Sequence, residues 1–451
     1  MPIQFSDSYL EKCWGYRHEG QEKIRCAILA AGLGRRLEPL TVRYIPKPLF
    51  PLGGKVAMVE TWVRKMVESG ITDISMNLCV LKQTIKDHFG DGGKFGASIS
   101  YVEEDVPSGT LGGVCKQILG RDARVLPGEC PVEIEPFRGS TVIAPSGDIV
   151  TNIGADVLQE LYDIHKQVGA AFTMALVPVP RDRIKDFGTA VLESPQKRNG
   201  QLSSSGQVVQ FLEKDPNSPS NLNNASVYFI EARLLRELDA LRTNATLSVE
   251  EPFYDFGKHV LPAMLGKLPY VKLSSDNRLW GVQFDGEWFD VGQKRDYLRV
   301  NERVLDGAID LNLPFEMLPW GYLGSGVAID FSKVTIIPPV VIGNQCTIEP
   351  GATLGPYAVI GDGWTIERNA KISHSVLWER YPMFRDNGSQ LSPDEMRLID
   401  RHEVREGVTI ERSIVAGGAI EIDIRDSTVE VLEDGKVAVT SIDAQPTGAR
   451  A

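Results

Sequence analysis

Cysteine and histidine are scarce, with six of each in 451 residues. Cys13, Cys26, Cys79, Cys115, Cys130 and Cys346 include no CxxC pair, which excludes a zinc ribbon and a redox dithiol motif and leaves reduced, mostly packed thiols as the expectation. His18, His88, His165, His259, His374 and His402 form no HxxxH or HxH pair, so each reads as a surface or structural residue. No apolar run approaches the ~18 residues that a membrane helix needs. The first 23 residues carry mixed charge without an apolar h-region, so no secretory signal and a cytoplasmic protein are expected. Positive charge is also in deficit: 48 Lys plus Arg stand against 60 Asp plus Glu, for a net charge of −12. That balance excludes the basic footprint of a nucleic-acid binder.

What remains is ordinary globular usage, with 42% hydrophobic and 24% charged residues, unlike a disordered chain, collagen or a coiled coil. At ~150 residues per domain the length predicts two or three domains. From Ile24 the chain alternates strand-like and helix-like runs: IRCAILAA, VAMVETWVRKMVESG, ITDISMNL, LKQTIKDHFG and ASISYVEE. This rhythm predicts an α/β domain with a mainly parallel central sheet. Val59, Trp62, Val63, Met66 and Val67 fall at helical spacing and mark a buried stripe. A polar hairpin is expected around Ser203 to Gly206, and a helix from near Asp296.

A different period begins near Val334. Ile336, Ile342, Ile348, Leu354, Ile360, Ile366 and Ile372 recur every sixth residue, and Val340, Cys346, Ala352, Ala358, Trp364 and Ala370 recur in a second phase. Gly343, Gly355 and Gly361 follow aliphatic members directly, where short strands would turn a corner. This is the hexapeptide repeat of a left-handed parallel β-helix. It lapses from Tyr381 to Arg401, where SPDEMRLIDRHE reads as a short capped helix inserted between coils, and resumes weakly with GVTIERSIVAGGAIEI.

Chemistry-bearing residues gather after the first strand, in AILAAGLGRRLEPLTVRYIPKPLFPL. Gly32 and Gly34 stand at the strand exit, where missing side chains let backbone N–H groups approach phosphate, and Arg35, Arg36, Arg43 and Lys47 add local positive charge. No GxxxxGK[ST] loop is present, and GLGRRL lacks the third glycine of a dinucleotide fingerprint. Alone, the two glycines would signify only a turn with solvated arginines.

The longer string LAAGLGRRLEPLT, followed by PKPLFPLGGK, resembles the opening signature of the sugar-1-phosphate nucleotidyltransferases, closest in style to mannose-1-phosphate guanylyltransferases. Further pieces follow in that family's order: EEDVPSGTLGG, SGD, DFG, FLEKD, NNASVYFI and EWFDVGQKRDYLRVN, together covering roughly residues 24 to 305. The hexapeptide tail is a frequent companion domain. The resemblance implies a Rossmann-like nucleotidyltransferase domain over 24–310, after an N-terminal extension over 1–23. A linker over 311–333 and the β-helix over 334–451, with its insertion at 381–401, would follow.

It also implies a reaction in which a sugar 1-phosphate attacks the α-phosphorus of a nucleoside triphosphate and pyrophosphate leaves. Arg36 and Lys47 would hold the triphosphate, and Asp148 and Asp290 would hold Mg²⁺, as catalytic residues. Ala30, Ala31, Gly32, Gly34, Gly109 and Thr110 would line the nucleotide, with Glu104 placed to accept from the adjacent N1–H and N2–H₂ donors of guanine. Gly188, Glu213, Lys214 and Asn224 would hold the sugar phosphate.

GTP and mannose 1-phosphate are therefore the favoured substrates. The alternatives are dTTP, UTP or ATP as nucleotide, or a non-catalytic paralogue that senses nucleotide sugars. The latter should have lost a charge-bearing position, whereas Arg36, Lys47, Asp148, Lys214 and Asp290 all remain. Departures from the family pattern are Arg35 in place of Ser or Thr, one extra residue between Arg36 and Lys47, Leu111 for a small residue and Ser226 for glycine. The tail is expected to do no chemistry and to build a homo-oligomer, a dimer or tetramer by symmetry. No nucleic-acid or membrane partner is expected.

Overall fold

The computed structural model describes residues 24–120, 140–198, 200–243, 255–268, 271–274, 276–385, 389–399 and 401–444. The N-terminal extension, with Cys13 and His18, and Cys130 lie outside the described residues. Two compact units divide the chain: Met1–Gly32 with Trp62–Trp288, and Leu33–Thr61 with Phe289–Ala451.

The first unit is built on a nine-stranded sheet. Its strands are β1 (Ile24–Leu29), β2 (Asp73–Leu78), β3 (Ser98–Glu103), β4 (Thr141–Pro145), β5 (Phe172–Pro178), β6 (Gly188–Lys197), β7 (Leu202–Glu213), β8 (Leu222–Glu231) and β9 (Leu279–Phe284). Their spatial order is β3-β2-β1-β4-β8-β5-β9-β7-β6. The block β3-β2-β1-β4 is parallel, with Cys26 opposite both Ile74 and Ile143. Its strands are joined by helical crossovers; β1, β2 and β4 are buried along most of their length, whereas the edge strand β3 is only partly buried.

The later strands differ. β8 enters antiparallel between β4 and β5, β6 and β7 form a long antiparallel pair, and β9 is parallel to β5. The parallel expectation thus describes the N-terminal half of the sheet; in the rest, β6–β7 is a hairpin and the other antiparallel pairs join strands that are not consecutive in the chain. Ser203 to Gly206 lies inside β7, with the turn at Gly200 and Gln201 instead.

Helices α1 (Met58–Glu68), α2 (Lys82–Phe89), α3 (Gly109–Leu119), α4 (Ala155–Gln167) and α5 (Ala232–Thr243) follow in chain order. The stripe on α1 is buried at Val59, Trp62, Val63 and Met66 and half-buried at Val67. Gly113 lets α3 lie close to the parallel block, since a Cβ there would stand 2.5 Å from Asn77 Nδ2.

The second unit is a parallel β-helix to which α6 (Lys294–Leu305) and the segment Leu33–Thr61 belong. Three stacks of short strands form its walls. Val340 pairs with Ala358, and Thr347 with Thr365, so one coil consumes three hexads. The aliphatic ladder expected from the repeat fills the interior, from Val340 and Ile342 to Ile424 and Val429. At the corner glycine Gly361, a Cβ would stand 2.3 Å from the Glu379 amide nitrogen of the next coil.

The stack begins ahead of the regular hexads, with an antiparallel pair at Glu316–Leu318 and Gly321–Leu323, and closes with another at Ser427–Val431 and Val437–Ser441. The lapse is an excursion between Ser375–Leu377 and His402–Val404, across which parallel pairing continues. It carries α7 (Pro393–Ile399), capped as the sequence indicates: Ser392 N and Oγ donate to Glu395 at 2.9 and 2.8 Å. Cys26, Cys79, Cys115 and Cys346 are free thiols. Among the described residues no helix is long and apolar enough to cross a membrane.

Candidate active site

In the first unit β1 leads into the exit Ala30, Ala31 and Gly32. The Ala30 amide donates to Asn77 Oδ1 at 2.8 Å and the Gly147 amide to Leu29 O at 2.8 Å, so strands on either side pin the exit. Gly32 is exposed, and a Cβ there would meet no atom of the described residues within 4 Å beyond its chain neighbours. Asp148 stands in the turn after β4, where Ser146 Oγ donates to its Oδ1 at 2.6 Å.

Glu104 requires a correction. It is fully buried, accepts from Ser108 N at 2.9 Å and Ser108 Oγ at 2.8 Å, and lies 3.8 Å from Lys116 Nζ. Its carboxylate is drawn to the N-terminal end of α3, where amide donors and the helix dipole favour negative charge, rather than turned toward a base. Gly109 opens α3 at φ +71, and Thr110 Oγ1 accepts from the Phe256 amide at 2.7 Å, fastening a distant segment.

Of the residues expected to hold the sugar phosphate, Gly188, Glu213 and Lys214 lie at one end of the β6–β7 hairpin, and Asn224 lies on β8. Gly188 and Glu213 are register partners, and Glu213 Oε2 sits so close to two glycines that a Cβ would stand 2.5 Å away at Gly188 and 3.1 Å away at Gly257. Desolvation in this notch raises the Glu213 carboxyl above its ordinary range; Asp255 adds to the rise, and Lys214 and Lys258 oppose it. Lys214 follows at φ +54, its amide donating to Phe187 O at 2.9 Å. Asn224 Nδ2 donates to Tyr228 Oη at 2.8 Å, and burial pushes that phenol up to about 12. Trp288 Nε1 donates to Ala225 O at 3.0 Å.

The second unit holds the cationic loop. Gly34 at φ +62 turns the chain so tightly that a Cβ would stand 2.8 Å from Thr41 Cγ2. Lys47 is buried, with Nζ 3.7 Å from Asp290 Oδ1. Arg36 lies over Gly292, where a Cβ would come within 2.8 Å of Nη2. Arg36, Lys47 and Asp290 are therefore gathered in one unit, and Asp148 belongs to the other.

Sequence reasoning missed Asn77, which holds the β1 exit, and the Asp255 to Gly257 segment against Glu213. The second had a signal: DFG at Asp186 to Gly188 recurs at Asp255 to Gly257. Asn77 had none, because its partner lies on a neighbouring strand.

A family model described as nucleotidyl transferase matches residues 26–307. The chain belongs to that family. It is 27% identical over 384 residues to a UTP–glucose-1-phosphate uridylyltransferase of Synechocystis, across 84% of this chain and 86% of that protein. It is 27% identical to a mannose-1-phosphate guanylyltransferase of Mycobacterium tuberculosis, across 78% and 83%. A glucose-1-phosphate adenylyltransferase of Lachnospira eligens is 24% identical, across 79% and 73%.

Departures from the nucleotidyl transferase pattern now have physical readings. Ser226 adopts φ +57, the left-handed backbone that glycine takes freely, with its amide donating to Asn224 Oδ1 at 3.1 Å. Leu111 is absorbed into the hydrophobic core of the first unit, and Arg35 is exposed on its 3₁₀ turn.

Proposed function

We propose that this nucleotidyl transferase joins the nucleotidyl group of GTP to mannose 1-phosphate, or a related sugar 1-phosphate, and releases pyrophosphate. It is an enzyme of the sugar-1-phosphate nucleotidyltransferase class; base and sugar are the finer reading. The observation that carries it is the gathering of Arg36, Lys47 and Asp290, two cations and a carboxylate brought together from segments remote in sequence. A phosphate oxygen of the sugar 1-phosphate forms a bond to the α-phosphorus as the bond from that phosphorus to the bridging oxygen breaks. The electron pair leaves on pyrophosphate, and no proton need move. Arg36 and Lys47 stabilise charge building on the α-phosphoryl and leaving groups, which is most of what this chemistry asks of a protein.

Mg²⁺ takes one or two carboxylates and leaves its other positions to phosphate and water. Asp148 and Asp290, both half-buried, are oxygen donors of that kind, and Ser146 orients the first. No cluster of three or more His, Cys, Asp or Glu suited to an all-protein cage occurs among the described residues. When bound, the ion would neutralise the phosphate oxygens. Gly188, Glu213, Lys214 and Asn224 orient the sugar phosphate.

GTP is favoured by motif style and by relatives named as mannose-1-phosphate guanylyltransferases from Mycobacterium tuberculosis, rice and Arabidopsis thaliana. Glu104 no longer contributes to that preference, because its carboxylate is spent on Ser108 and Lys116. The test is pyrophosphate release from GTP, dTTP, UTP and ATP, each crossed with several sugar 1-phosphates, with and without excess EDTA. GTP as the poorest nucleotide would reject the base, and undiminished turnover in EDTA the metal.

A further inference from the structure

The segment that carries Arg36 and Lys47 has little structure of its own. Between Leu33 and Thr61 it forms the 3₁₀ turns Arg35–Leu37 and Lys47–Leu49, a single helical turn Leu40–Arg43, a two-residue β pair and the start of α1. Turns this short do not hold themselves, since nucleating a helix fixes several residues for one hydrogen bond. Yet Lys47 is buried and must present its ammonium at a defined place.

The anchors come from the far end of the chain, within the same unit. On the N-terminal side of Lys47, Arg43 Nε stands 3.0 Å from Glu430 Oε2, Arg43 O accepts from the Phe384 amide at 2.7 Å, and Tyr44 Oη accepts from the Val431 amide at 2.8 Å. On the C-terminal side, the Phe50 ring meets Trp378 and Tyr297 edge-on, with centroids 4.9 and 5.3 Å away, and Tyr297 Oη donates to Pro51 O. Both anchors share Trp378, which also meets the edge of Tyr44 at 6.2 Å and donates to Tyr297 Oη at 3.0 Å. Lys55 adds an ion pair to Asp362 at 2.8 Å and another to Glu379. Trp378 is the first residue after the strand Ser375–Leu377, where the coil is interrupted, and Phe384 lies in the excursion.

We propose that the β-helix is a positioning element for nucleotidyl transfer: Trp378, the Phe384 and Val431 amides and Glu430 grip the chain on both sides of Lys47 and set where its ammonium stands. This rests on the reading of Lys47 as the group that meets the triphosphate. The excursion is then no mere insertion, because the break in the repeat is what offers Trp378 and Phe384 to the loop. Arg43, Tyr44 and Glu430 are positioning residues, none of them touching substrate.

The experiment measures kcat and both KM values for the full chain with whichever nucleotide and sugar phosphate it turns over. The variants are Tyr44→Phe, Glu430→Gln, Lys47→Ala and the double variant Tyr44→Phe with Lys47→Ala. Ile372→Val serves as a control that loosens the β-helix interior away from the loop. Tyr44→Phe and Glu430→Gln should each lower kcat about 10- to 100-fold and leave KM for the sugar phosphate within twofold. The double variant should be no slower than Lys47→Ala alone, because both act through one group. Glu430→Gln keeps the side-chain shape if Tyr44→Phe fails to fold. Normal kcat in both grip variants, with Lys47→Ala impaired, overturns the positioning role alone. Normal kcat in Lys47→Ala overturns the assignment of Lys47 and the proposal with it. An equal kcat loss in Ile372→Val at matched melting temperature would reduce the effect to general stability and overturn the proposal.

Discussion

Replacing Gly188 by alanine is the sharpest probe of the sugar side. The new methyl would stand 2.4 Å from Phe211 Cζ and 2.5 Å from Glu213 Oε2, distances that real Cβ contacts do not reach. Phe211 is buried and packed in the core, so the Glu213 carboxylate, at the free end of a flexible side chain, must yield most. To reach an ordinary contact of ~3.5 Å from the new methyl, the carboxylate must retreat by roughly 1 Å from its present place beside Gly188 and Gly257. If Glu213 accepts a hydrogen bond from a sugar hydroxyl, losing that charge-assisted bond costs about 1.5 to 3 kcal/mol, or about 10- to 150-fold in KM for the sugar phosphate. Overpacking should add about 1 to 3 kcal/mol of destabilisation. The assay is pyrophosphate release with sugar 1-phosphate titrated at saturating nucleotide, alongside a melting curve. KM for the nucleotide should not move. A lowered melting temperature with sugar KM unchanged within twofold would refute the placement of Glu213 on the sugar.

Two further expectations concern charged groups. Lys47→Ala should depress kcat by about 10² to 10³, since charge develops beside it in the transition state, whereas Lys214→Ala should mainly raise KM for the sugar phosphate; steady-state kinetics on both substrates separates them, and the reverse pattern exchanges the two lysines. His402 is buried, and burial, with Arg380 nearby, lowers its pKa from 6.5 to about 3. Below pH 6.5 the unfolded chain takes up a proton that the folded chain refuses, so His402 should make the protein about 2 kcal/mol less stable at pH 5 than at pH 7. Urea unfolding of wild type and His402→Gln at both pH values isolates this contribution, and a stability difference between them that does not change with pH would contradict it.

The β-helix was legible because two residues in six must point inward: Ile342, Ile348, Leu354 and Ile360, with Cys346, Ala352 and Ala358 in the second phase, announce their burial by spacing alone. The parallel block was legible from the alternation of strand-like runs such as IRCAIL and ISMNL with helix-like ones. Local pattern failed where a distant partner decides. Ser203 to Gly206 is polar enough for a turn yet lies within β7, paired to both β6 and β9. Glu104 looked available until the start of α3 claimed it. The first pair of the β-helix, Glu316–Leu318 with Gly321–Leu323, is antiparallel and so carries no hexad signal. Arg43 announced its charge, but nothing around it indicates Glu430.

That last separation bears on how the protein is made. Tyr44 and the Val431 amide are 387 positions apart. At ~5 to 20 residues per second, a ribosome needs roughly 20 to 80 s between them. Throughout that interval the loop bearing Arg36 and Lys47 has emerged without the residues that shape it, while β1 to β4 already have one another to pair with. If the grip sets where Lys47 stands, a chain cut between Phe384 and Glu430 would keep the Trp378 and Phe384 anchors but lack those on Arg43 and Tyr44 from Glu430 and Val431, so competence would arrive only with the final coil.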